Sequence, residues 1–99
     1  MAKQASGILE TKGLVALVQG TDAMLKSANV ELTAPMKGVG SALVSVVVTG
    51  AVAAVNAAIE TGAETAGRYG EVVSAHTIAR PHDDVEVIVP ALKAPKRAK

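Results

Sequence analysis

Two histidines, two closely spaced glycines and one lysine in a helical context are the residues whose chemistry calls for testing first. His76 and His82 are the only imidazoles in the chain. A zinc pair on one strand or helix requires closer spacing or further ligands. His76 falls in an apolar, β-branched segment, where a histidine resting on a sheet surface is the plain interpretation. His82 with Asp83 forms an acid/base pair on paper, yet no serine or cysteine stands beside it in sequence as a nucleophile. Gly38-Val39-Gly40 suggests a phosphate-binding loop. A dinucleotide fingerprint, however, needs a third glycine three residues on, and that position is Leu43. It must also open into a helix, whereas this loop leads into a β-branched run. What remains is a tight turn, or a loop lining an opening.

Lys26 follows Asp22 by four residues in the favourable acid-then-base order. By itself this describes a solvated cation near a helix C-terminus, favoured by the helix dipole. Val18-Gln19-Gly20 is similar to part of the phosphate loop of small acylphosphatase-type enzymes, but no arginine follows in place and the residues read as helix. No catalytic residues, metal or cofactor are expected.

The elements that must position these groups follow from periodicity. Ser6 to Thr11 predicts a first strand, ended at Gly13. Leu14, Leu17, Val18, Thr21, Leu25 and Ala28 then fall at helical spacing, predicting a helix that buries that face. Asn29 to Thr33 alternates as a strand, and Ala34-Pro35 stops it because proline cannot donate to a ladder. Lys37 to Ser41 is expected to be a loop. Ala42 to Thr49 is a nearly continuous β-branched run, as in a central, buried strand. Val52, Val55, Ile59, Ala63 and Ala66 trace a second helix, Glu71 to Ile78 a last strand, and Arg80-Pro81-His82 a turn. Asp83-Asp84 is placed to cap a short C-terminal helix reaching Val89. The order is β-α-β-β-α-β, an α+β class fold of ferredoxin-like type: an antiparallel sheet with both helices on one face. One domain is expected over residues 5–90, followed by a basic, flexible tail at 91–99.

Composition bounds the function. The 99 residues are 49% hydrophobic but hold a single aromatic, Tyr69. A thin core of Ala and Val contributes little burial per side chain, at about 0.8 kcal/mol per CH₂, which points to further burial between subunits. Ten basic residues face nine acidic ones, and four of the basic ones, Lys93, Lys96, Arg97 and Lys99, lie in the last seven positions. The body is therefore mildly acidic, against a nucleic-acid-binding surface, and it has no stacking platform. The absence of cysteine excludes disulfides and fits a cytoplasmic chain. The N-terminal residues carry no secretory pattern, and no apolar run approaches the ~20 residues of a membrane span.

Several segments, taken in order, resemble the BMC-domain family, the shell proteins of bacterial microcompartments. Ile8-Leu9-Glu10-Thr11-Lys12-Gly13-Leu14 is similar to its opening strand and turn. Asp22-Ala23-Met24-Leu25-Lys26-Ser27-Ala28-Asn29-Val30 is similar to its first helix end. Gly70 to His76 and Ile78-Ala79-Arg80-Pro81-His82 resemble its last strand and turn. The resemblance implies a self-assembling structural protein and not an enzyme: a cyclic homohexamer, a tile packing edge to edge with other shell proteins of the same compartment. Encapsulated enzymes or their targeting peptides are further implied partners, and the location is the microcompartment shell in the cytoplasm. No nucleic acid or membrane partner is implied. Lys26, Asn29, Arg80, Pro81 and His82 would form the edge between hexamers. Lys37, Gly38, Val39, Gly40, Ser41 and Ala42 would surround a central pore passing small polar metabolites. This chain departs from the family there. Ala34-Pro35-Met36 stands where a glycine–tyrosine pair precedes the lysine, and the segment from Leu32 to Leu43 is one residue longer. Thr49, Ala51 and Asn56 also stand where charged residues are common. The alternative from another class is a ferredoxin-like regulatory protein binding small molecules in a ring, which would need a pocket of convergent charges.

Overall fold

Strand β1 (Ala5–Lys12) alternates small and apolar residues on one face, and that face receives the helices: a methyl group on Gly7 would meet Val55 and Ile59 at 2.8 Å. The computed structural model describes residues 4–33 and 37–88. After β1 come α1 (Leu14–Ser27), β2 (Glu31–Leu32), β3 (Lys37–Gly40), β4 (Leu43–Gly50), α2 (Val52–Ala66) and β5 (Glu71–Ile78), then a 3₁₀ turn over Asp83–Val87. The strand order is β2-β4-β1-β5, and β3 joins the same edge of β4 as β2. All pairings are antiparallel. Both helices cover one face, so the α+β, ferredoxin-like architecture predicted from the element order is the one observed.

The core lies between sheet and helices. Leu9, Val46 and Val48 from the strands meet Leu17 and Met24 of α1 and Val55 and Ile59 of α2, all buried. Backbone approach replaces side-chain bulk where the helices cross. Gly20 lies against Gly62, and Met24 fills the space a Gly62 side chain would need.

Four expectations are corrected. Lys37 to Ser41 is not a loop: residues 37–40 pair with β4 as a strand, and β4 begins at Leu43, with Ser41 and Ala42 forming a two-residue turn. The second strand shrinks to Glu31–Leu32. The buried face of α1 is Ala16, Leu17, Gly20 and Met24, while Leu14, Val18 and Leu25 are exposed. The contact with α2 through Gly20 rolls the helix, and hydropathy periodicity does not register a glycine as a core residue. The C-terminal turn is 3₁₀ and is capped by His82, whose side chain accepts from the Asp84 N–H; Val89 and the tail at 91–99 lie outside the described residues.

Candidate functional site

The register of the sheet sorts the candidate residues into two groups. Glu71, Lys12, Leu43 and Gly40 line up across β5, β1, β4 and β3 at one end. Ile78, Ser6, Thr49 and Glu31 line up across β5, β1, β4 and β2 at the other. On β4 these lines pass through Leu43 and Thr49, which separates them by roughly 20 Å at about 3.4 Å per residue.

The first end carries the Ser41–Ala42 turn. Both residues have positive φ, 55° and 63°, following Gly40 at 97°. This is the backbone of a type I′ hairpin turn, normally given to Asn or Gly. The turn is tied down by the Gly13 N–H, which donates to the Ala42 carbonyl oxygen at 2.8 Å. Thr11 is fully buried, and its hydroxyl donates to the Gly13 carbonyl. The junction of β1 with α1 and the β3–β4 turn therefore form one unit. Gly38, Gly40, Ser41 and Ala42 are all exposed, and Lys37 occupies the register position opposite Ser45.

The second end gathers the other group. Lys26 lies in the last turn of α1, Asn29 two residues before β2, and Arg80 two residues after β5. Gly50, at the end of β4, lies beside the Asn29 carbonyl. Lys26 Nζ is 3.0 Å from Asp22 Oδ2, with both side chains largely exposed. Asn29, Arg80 and His82 are exposed, whereas Pro81 is buried and anchors the segment. His82 Nδ1 accepts the Asp84 N–H at 3.0 Å, with Asp84 Oδ2 3.9 Å from the same nitrogen. His76 is exposed on the sheet face away from the helices, opposite Ile8.

The flanks of the sheet hold what the sequence reasoning missed. Between α1 and β2 runs an apolar groove of about 340 Å³ lined by Val18, Thr21, Leu25 and Leu32, with Asp22 its only charged group among the described residues. Val18 is 55% exposed, Leu25 43% and Leu32 46%. The signal was present: α1 is apolar over more of its circumference than one core contact uses. On the opposite flank β5 pairs, among the described residues, only with β1, and Tyr69, Val73 and Ile78 are exposed. Among the described residues no group of three or more His, Asp or Glu side chains could hold a metal ion, and no helix is long and apolar enough to cross a membrane.

The chain as a whole is similar to known proteins. The BMC domain family model matches residues 5–81. The chain is 52% identical over 90 residues to the bacterial microcompartment shell protein PduA of Citrobacter freundii, covering 91% of this chain and 96% of that one. It is 48% identical over 87 residues to the shell protein EutM of Escherichia coli K12, covering 88% and 89%. It is 44% identical over 88 residues to the carboxysome shell protein CcmK2 of Synechocystis sp. PCC 6803, covering 87% and 84%. A solved microcompartment protein from Desulfitobacterium hafniense DCB superposes with a TM-score of 0.77 at 26% identity over 99% of this chain. The chain spans about half, 53%, of the length of that solved protein.

Proposed function

The chain belongs to the BMC domain family of bacterial microcompartment shell proteins, and we propose that six copies close into a flat ring, with the Ser41–Ala42 turn around a central pore and the Lys26–Arg80 end at the outer rim. Its role in the shell is structural, not enzymatic. One observation carries the ring reading: the two candidate groups occupy opposite ends of the same strands, as a wedge with an apex and an outer edge requires.

The flanks supply the seams. The α1–β2 groove and the β5 edge are unlike surfaces, each with exposed apolar residues. Two unlike faces on one subunit associate head to tail, and such an interface generates a closed ring when its rotation closes. Burying Val18, Leu25 and Leu32 against a neighbour also adds the apolar area that a core with few large side chains lacks.

At the apex, small residues let six turns converge, and Ser41 hydroxyls with backbone amides supply polar groups that replace part of a metabolite's hydration shell. Lys37, at the start of β3, would add positive potential at one mouth. At the rim, Lys26 has a long apolar stem to lie along a neighbouring tile and donors for its carbonyls, and Arg80 offers five more. Rings meeting rim to rim, with other shell proteins of the family, would make the facet.

Native mass spectrometry and negative-stain microscopy test this together. Six-subunit particles that grow into sheets or tubes are expected. A monomer at micromolar concentration, or discrete particles that never associate, would overturn it.

A further inference from the structure

We infer that His82 is a positioning residue of the rim: its Nδ1 caps the turn that follows, fixes the backbone from His82 to Asp84, and acts on tile-to-tile contact through that turn. The inference rests on the rim reading above. Three observations carry it. Pro81 is buried and His82 exposed, so the chain leaves the domain body at this point. The His82 carbonyl accepts from the Val85 N–H at 2.9 Å, opening the 3₁₀ turn. The His82 ring then returns to the backbone and accepts the Asp84 N–H at 3.0 Å. One residue thus uses both its carbonyl and its side chain to start the turn, as Asn or Asp would at a helix N-cap.

This bond has a chemical corollary. A neutral imidazole that accepts at Nδ1 carries its proton on Nε2. Asp84 Oδ2 lies 3.9 Å from the same nitrogen. Arg80 stands two residues before His82 across the buried Pro81, and on this proposal the cap holds the stretch that presents it to a neighbouring tile.

Conservative variants separate the two nitrogens. Asparagine returns an acceptor near the Nδ1 position, whereas glutamine returns a donor near the Nε2 position. We expect His82→Asn to form sheets like the parent protein, and His82→Ala and His82→Gln to raise the protein concentration needed for sheets several-fold, with six-subunit particles unchanged. Hydrogen exchange of peptides spanning 82–88 in isolated rings gives a readout independent of sheets. The Asp84 amide should exchange faster in His82→Ala and His82→Gln, and at the parent rate in His82→Asn. Rescue by glutamine instead of asparagine would make His82 a direct contact and overturn the inference, as would parent-like sheets and exchange in His82→Ala. Lys26→Ala run alongside keeps the failures apart: if it too assembles normally, the rim reading has failed, and the exchange result alone judges the cap.

Discussion

Gly20 of α1 and Gly62 of α2 meet backbone to backbone: a methyl group on Gly20 would stand 2.9 Å from the Gly62 carbonyl oxygen and 2.9 Å from Leu9 Cδ2. A carbonyl inside a helix cannot rotate aside, so the helices would have to separate. Alanine in a helix returns about 1 kcal/mol of propensity, while overpacking a core costs about 1–3 kcal/mol. Because the obstruction is backbone, Gly20→Ala should lower stability by about 1–2 kcal/mol, seen as a lower denaturant midpoint. An unchanged or raised midpoint would mean that the helices have room to spare.

The turn at Ser41–Ala42 predicts the opposite sign. A non-glycine residue in the left-handed region costs of order 1–3 kcal/mol, and Ala42 sits there at φ 63°. Ala42→Gly removes one methyl from an exposed position and should raise stability by about 1 kcal/mol, read by the same unfolding experiment. The bond from the Gly13 N–H to the Ala42 carbonyl is made by backbone and is kept.

Ser41→Leu tests the pore assignment. Six leucines at the apex should narrow the opening, visible by cryo-electron microscopy, while six-subunit particles persist. A structure with residue 41 away from the symmetry axis would end the assignment.

For the rim, Lys26→Ala should leave rings intact and abolish sheets. Its pairing with Asp22 is solvent-exposed, so subunit stability should hardly change, while a contact repeated around the ring is multiplied by avidity. Arg80→Ala should weaken sheets in the same direction. Negative-stain microscopy at matched concentration checks both.

The flank groove gives a prediction at a different level of assembly. Leu25 and Leu32 are over two-fifths exposed, so Leu25→Glu and Leu32→Glu should leave a single subunit folded. Together they should shift native mass spectra from six subunits towards one, because a charge would be buried at the seam. Persistence of the ring would move the seam elsewhere.

What was legible in the sequence follows from what each signal measures. The β-branched run at 42–49 and the stripe Val52, Val55, Ile59, Ala63 and Ala66 made β4 and α2 easy to find, because hydropathy and burial agree at most of these positions, Val52 being exposed. The helix α1 was found but turned the wrong way. Its core contact is made by Gly20, which no hydropathy pattern registers, and its apolar surplus at Val18 and Leu25 faces outward. The 37–41 segment read as a loop because its glycines signal turns, yet only residues 41 and 42 turn, and both lack glycine's freedom. The two-ended arrangement was out of reach, since it depends on register, a property of strand pairs. His82 as a cap was hidden by the acidic residues beside it, which are commoner caps.

The length of β4 has a consequence for a facet built of many tiles. On the ring reading, the eight residues from Leu43 to Gly50 are the spoke between hub and perimeter, and so a ruler for the lattice constant. Strands change length in steps of about 3.4 Å, and a one-residue change also turns every following side chain to the other face. The smallest insertion that keeps the core inside is therefore a residue pair in each central strand, and it would widen the centre-to-centre spacing by roughly 14 Å, two spokes meeting at each shared border. A protein with such spokes would be incommensurate with this array, however well its border residues matched.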